Sequence, residues 1–287
     1  MPEQIEPVAQ PDSSPAPVME AKIASWLQTQ GVILELTVAS KFQSALGPNT
    51  PLKRVIHGRQ YRDKDPLTSE EKYRETDVVV IATPITPPRA TLSIWLIIEC
   101  KAKPNQPWVF YRSSSPTHQG TRYEDAFVVR SNQDFDTQSI LGLHGVSIFQ
   151  IDQVPYSTGG VAALIKENDD PSSGSRNAAN DSRNPVRDSI LQVLSTTFGI
   201  SQEVGLIHEG LIASILVPIV VTTAPMYTVA LDDTGAPKVE ETFRELVVTR
   251  SKLDGGNLKY VWVIHESQID TLSSEFAACL PFVEFIS

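Results

Sequence analysis

The chain has 287 residues, 41% of them hydrophobic and 20% charged, with a net charge of −10. That balance belongs to a globular protein with a sizeable core; it excludes a disordered chain and argues against a uniformly basic nucleic-acid binder. Two cysteines, Cys100 and Cys279, are too few and too widely spaced for a disulfide framework or a CxxC pair, so reduced, buried thiols are expected.

Residues 1–17 are proline-rich and poor in apolar residues, which predicts a disordered tail preceding one domain over 18–287. No basic stretch leading into an apolar one opens the chain, so the expectation is a cytoplasmic protein without a secretory signal. From Val18 the pattern turns helical: Met19, Ile23, Trp26 and Leu27 share a face, and Gly31 supplies a C-cap. "VILELTVA" (32–39) is rich in β-branched residues and predicts a strand. The charged stretch 53–75 predicts a loop with a turn.

"TDVVVIAT" (76–83) and "TLSIWLIIECKAK" (91–103) predict two strands, joined by the proline-rich "PITPPRA" into an antiparallel hairpin. "PWVFY" (107–111) predicts a short strand, and 119–135 a partly helical stretch. Residues 168–187 are polar and of low complexity, which predicts a mobile loop within an insertion over 104–183. Val186, Ile190, Val193, Leu194 and Thr197 recur at helical spacing over 184–199. Pro225 splits 216–232 into two strands or one bent one; 260–267 then reads as a strand and 267–280 as an amphipathic helix. The longest apolar run, 211–221, is broken by Ser214 and Pro218 and is too short for a membrane helix, so no membrane partner is expected.

Charge is unevenly placed. Residues 51–130 hold 13 Lys or Arg against 9 Asp or Glu, so a locally basic segment sits in an acidic chain. Such a face can bind a phosphate backbone with strong salt dependence, although a solvated charged surface explains the run "PLKRVIHGRQYRDK" (51–64) equally well.

The same segment holds the most unusual feature, "WLIIECKAKP" (95–104), a buried-looking strand that ends on an acid and a base. Side chains alternate along a strand, so Glu99 and Lys101 share a face while Cys100 turns to the other. In the expected hairpin, Asp77 at the start of one strand lies beside Glu99 at the end of the next. Two opposed carboxylates repel, and a divalent cation removes the conflict. Asp77, Glu99 and a main-chain carbonyl, that of Cys100, make an all-oxygen site suited to Mg²⁺ or Mn²⁺.

Asp77 followed by Glu99-Cys100-Lys101, in a helix, three strands, helix, strand order, resembles the PD-(D/E)XK nuclease superfamily over residues 18–104 and 184–231. The resemblance implies an α/β, restriction-endonuclease-like fold: a mixed central β-sheet flanked by helices, here with a peripheral insertion. It implies metal-dependent phosphodiester hydrolysis, with DNA a better-fitting partner than RNA. Asp77 and Glu99 would be metal ligands and Lys101 the water-activating or phosphate-stabilising lysine. An acid on the first helix would be Glu20, with Glu35 a second candidate, and the polar residue on the later helix would be Gln192. Thr76 stands where the motif has its proline. Roles in restriction, repair or bacterial defence, a homodimer and a separate recognition subunit are all compatible with the resemblance.

Two other readings remain. The fold can serve as a nucleic-acid-binding or assembly module without turnover, which the acidic net charge favours. In an unrelated α/β protein, Glu99 and Lys101 would simply pair. The five histidines form no HExxH or zinc-spaced cluster, and His57 in the basic run is the most notable of them. No GxSxG elbow or P-loop ending is present. Trp26, Trp95, Trp108 and Trp262 read as core or semi-core, with Trp108 a lesser candidate for base stacking.

Overall fold

A computed structural model describes residues 17–49, 53–64, 71–82, 91–112, 128–131, 156–162, 184–207, 211–250 and 258–284. All but Pro17 of the expected N-terminal tail, the hairpin turn and most of the expected mobile loop lie outside these residues; the described end of that loop, 185–187, is helical instead, since Val186 opens an apolar stripe buried on the sheet. Helices α1 (Pro17–Gln30) and α2 (Val32–Leu46) lead into strands β1 (Lys53–Lys64), β2 (Glu71–Ala82) and β3 (Thr91–Lys101). Strands β4 (Trp108–Arg112), β5 (Val128–Ser131) and β6 (Tyr156–Ala162) precede helix α3 (Pro185–Ile207). Strands β7 (Leu211–Thr222), β8 (Met226–Leu231), β9 (Pro237–Glu241), β10 (Arg244–Arg250) and β11 (Leu258–His265) follow, and a short 3₁₀ turn enters helix α4 (Ile269–Glu284).

The strands form one mixed sheet in the order β1-β2-β3-β7-β11-β10-β6-β4-β8-β9. Its longest parallel pairing is β3–β7, two apolar runs buried along their described length. A strand covered on both faces needs apolar residues at consecutive positions rather than alternate ones. The other edge of β7 is shared: β5 pairs with Ala213–Leu216 and β11 with Ile219–Thr222. Pro218, which has no N–H for a ladder, falls at the changeover between them. Helices α2 and α4 cover one face through Leu34, Val38, Phe42, Leu272 and Phe276. Helix α3 covers the other through Val186, Ile190, Val193 and Leu194. This is the α/β architecture of a mixed sheet flanked by helices. Among the described residues, no helix is long and apolar enough to cross a membrane.

Three expectations need correction. Residues 32–39 are helical: Leu34, Val38, Phe42 and Leu46 are buried at four-residue spacing, and packing of that stripe outweighs the β-branched character of Val32, Ile33 and Thr37. The charged stretch is not a loop but strand β1 and the start of β2. Among the described residues β1 pairs with β2 alone, and such an outer edge tolerates charges that a central strand would not. The face of α1 bearing Met19, Ile23 and Trp26 is exposed rather than core. Trp95, Trp108 and Trp262 are buried as expected.

The first two corrections compensate each other. The order of two helices, β1–β2–β3, α3 and β7 still contains helix, three strands, helix, strand, with β1 supplying the strand that 32–39 does not. Between residues 104 and 183, β4 and β6 pair with each other and join the same sheet through β8 and β10. The 119–135 stretch contributes strand β5, and its remaining residues lie outside those described.

Candidate metal centre

β2 and β3 run antiparallel, with Val78 opposite Ile98 as the last paired residues. Continuing that register sets Asp77 opposite Glu99, one step past the last rung. There the backbone ladder is replaced by a side chain, as the Cys100 N–H donates to Asp77 Oδ2 at 2.6 Å. In an extended strand the N–H and C=O of one residue point the same way, so the Cys100 carbonyl also faces the β2 side. The next carbonyl, that of Lys101, faces β7 and accepts from Thr222 Oγ1 (3.1 Å) and the Thr223 N–H (3.2 Å).

Gly58 shapes the other flank of Asp77. It lies between the paired residues His57–Val78 and Arg59–Thr76 and takes a left-handed φ of +65°. That conformation, open to glycine at little strain, interrupts the alternation of β1. His57, on the face of Val55 and of its rung partner Val78, turns to helix α2, with Nε2 2.9 Å from Glu35 Oε2. Arg59 and Tyr61, which regular alternation would put on the same face as His57, turn to the α3 side instead. The Arg59 guanidinium lies 4.9 Å from the Trp95 ring and 3.6 Å from Glu203. The Tyr61 hydroxyl lies 3.0 Å from Thr196 Oγ1.

Glu99 is 1% exposed. Its Oε1 accepts from Lys101 Nζ at 2.6 Å and from the Gln192 amide, while Lys101 Nζ also donates to Gln192 Oε1 at 3.2 Å. Its Oε2 is buried with no hydrogen-bond partner among the described residues. A buried ionised oxygen without a partner carries a penalty of several kcal/mol, on the order expected for desolvating charge.

Electrostatics state the same conflict. Asp77 is pushed up to about 7, first by burial and then by the facing Glu99, with Glu35 adding to it; the Cys100 N–H and Lys101 act against the shift. Glu99 is also raised by burial, against the pull of Lys101 and Gln192. Burial, followed by the charges of Asp77, Glu35 and Glu99, drives the Cys100 thiol well above its usual range, which keeps it a neutral packing group.

The expected residues therefore divide. Glu99, Lys101 and Gln192 are bonded together, and Asp77 joins them through the Cys100 N–H. Glu20 stands exposed on α1, and the helix acid whose charge reaches Asp77 and Glu99 is Glu35. His57 and Gly58 complete the surroundings. A glycine inside a charged run was the signal for Gly58, and the four-residue stripe in 32–46 would have placed Glu35 on a helix.

Two carboxylates, one with an orphaned oxygen, and a carbonyl on the same edge form a hard, all-oxygen donor set, the chemistry of a Mg²⁺ or Mn²⁺ site. The fit rests on this mixed set, since no group of three or more His, Cys, Asp or Glu side chains among the described residues would hold a metal alone. No protein-family model, curated protein or solved structure matches the chain.

Proposed function

We propose that this chain is a divalent-metal-dependent nuclease of the PD-(D/E)XK, restriction-endonuclease-like type, hydrolysing phosphodiester bonds in DNA. The observation that carries the reading is the pair of opposed carboxylates: half-buried Asp77, pushed up to about 7, and buried Glu99, with an oxygen left without a hydrogen-bond partner among the described residues. Asp77, Glu99 and the Cys100 carbonyl would hold Mg²⁺ or Mn²⁺. When bound, such a cation supplies Lewis acidity that polarises phosphate and lowers the pKa of water.

The remaining work belongs to the chain's own groups. Lys101, 25% exposed and bonded to Glu99, would supply an ammonium to stabilise the negative charge that grows on the attacked phosphate. Gln192 bonds both Glu99 and Lys101, which fixes the two side chains relative to each other. Glu35, anchored by His57, adds negative charge that favours a cation at Asp77. In the reaction the water oxygen bonds to phosphorus, the ester P–O bond breaks, and the leaving oxygen gains a proton.

The purified protein is expected to cut DNA in Mg²⁺ or Mn²⁺ and not in EDTA. Glu99→Ala and Lys101→Ala are expected to remain folded by circular dichroism while losing at least about 100-fold in rate, the scale of a lost transition-state contact. Cleavage that survives both substitutions would sink the mechanism. A binding or assembly role without turnover is the second reading, favoured by Lys101 and Gln192 already sharing Glu99 Oε1. Divalent-metal binding with no cleavage of DNA or RNA would select it.

A further inference from the structure

Pairing of β2 with β3 stops at Val78, but pairing of β2 with β1 does not. It continues from Arg59–Thr76 to Lys64–Glu71, six further rungs that leave the sheet at the end where Asp77, Glu99 and Lys101 lie. At about 3.3 Å per residue, that is a two-stranded ribbon overhanging the candidate centre by about 20 Å. An isolated ribbon is marginally stable, and this one is braced by α3. Tyr61 bonds Thr196, the Arg62 N–H donates to Glu203 Oε1 at 2.8 Å, and Arg59 pairs with the same carboxylate. The bracing uses inward side chains and main chain, and leaves Gln60, Arg62, Lys72, Tyr73, Arg74 and Glu75 exposed.

That set has the chemistry of a nucleic-acid contact: cations for phosphate, an amide, an arginine and an aromatic for bases. Arg62 adds a second observation. Its guanidinium lies 5.8 Å from the Tyr73 ring, and no carboxylate pairs with it among the described residues. Tyr73 is itself 67% exposed. An aromatic neighbour orients a guanidinium without neutralising it. The ribbon's acids, Asp63, Glu71 and Glu75, make it less basic than its arginines alone suggest, which favours a few directed contacts over a diffuse electrostatic field. A major groove about 12 Å wide admits a two-stranded β-ribbon.

We propose that the β1–β2 ribbon beyond Gly58 is the docking arm for duplex nucleic acid, set in a groove or along its phosphates so that the backbone is presented to Lys101. This rests on the nuclease reading for the class of substrate. It is separable from it, because docking needs no turnover.

The test is fluorescence anisotropy with a labelled 20-base-pair DNA duplex in Ca²⁺ across a salt series, using the full chain. Arg62→Ala/Arg74→Ala is expected to weaken binding about tenfold and to lower the slope of log affinity against log salt by about 2, one per lost phosphate contact. Lys238→Ala, on β9 at the far edge of the sheet, is expected to stay within about twofold, as a charge outside the contact should. Hydrolysis of bis(p-nitrophenyl) phosphate should be unchanged in the double variant. Duplex affinity equal to wild type in that variant, an equal loss in Lys238→Ala, or equal binding of the single strand would each overturn the arm. A wild-type protein that binds no DNA overturns both proposals; one that binds through the ribbon but never cuts overturns only the nuclease.

Discussion

At the residue scale, the centre holds its acids at the expense of stability. Asp77 ionises near 3.8 ordinarily and near 7 in the folded chain. Below the lower value it is protonated in both states; between the two, the folded state keeps a proton that the unfolded state releases. Its contribution to stability is therefore fully present in acid and is lost as pH rises through about 7. In EDTA, Asp77→Asn is expected to raise stability at pH 8 by about 1–3 kcal/mol and to flatten the fall between pH 5 and pH 8, since the amide oxygen can still accept the Cys100 N–H. Thermal melts at the two pH values check this, and an unchanged slope would show that Asp77 is not the strained acid. Saturating Mg²⁺ should stabilise the wild type more than the variant. Cys100, buried and neutral, should resist iodoacetamide at pH 8 in the native protein and react after unfolding, as read by peptide mass mapping.

At the scale of elements, one glycine decides where several side chains go. Gly58 carries a left-handed φ in the middle of β1, and a Cβ there would stand 2.7 Å from Glu75 Oε1. Glu75 is exposed and its carboxylate can move, so the lasting penalty is conformational. Gly58→Ala is expected to destabilise by about 1–2 kcal/mol in urea denaturation. It should also weaken Mn²⁺ binding, because Gly58 lies across the strand pair from Asp77 and strain there would shift that carboxylate. Full Mn²⁺ affinity in a destabilised Gly58→Ala protein would separate the bend from the centre. α2 carries the companion lesson: Val32, Ile33, Thr37 and Val38 look like strand residues over eight positions, and only the stripe from Leu34 to Leu46 reveals the helix.

At the scale of the whole molecule, the sheet depends on polar contacts as well as on its apolar faces. Glu245 of β10 is fully buried and accepts Arg112 of β4 at 2.8 Å and Ser157 of β6 at 2.7 Å, tying three strands far from the candidate centre. Removing one partner leaves a buried charge uncompensated. Arg112→Ala is therefore expected to destabilise by about 3–5 kcal/mol, measured by chemical denaturation. A loss under about 1 kcal/mol would mean that the carboxylate finds protons or water instead.

What the sequence determined by itself was which side chains meet: apolar runs at 76–82 and 91–98 demand a buried strand pair, and strand alternation puts Glu99 and Lys101 on one face with Asp77 beside them. The α3 helix and the split at Pro225 were legible for the same reason, since periodicity and proline act locally. The tertiary structure decided what depends on partners distant in the chain. Only packing on the sheet made 32–46 a helix, and only an edge position beside β2 let charged residues form β1. Only the left-handed turn at Gly58 brought Arg59 to Trp95 and Tyr61 to Thr196. The physical reason is common to all three: a local pattern specifies which faces must be buried, while the burying surface comes from chain far away in sequence.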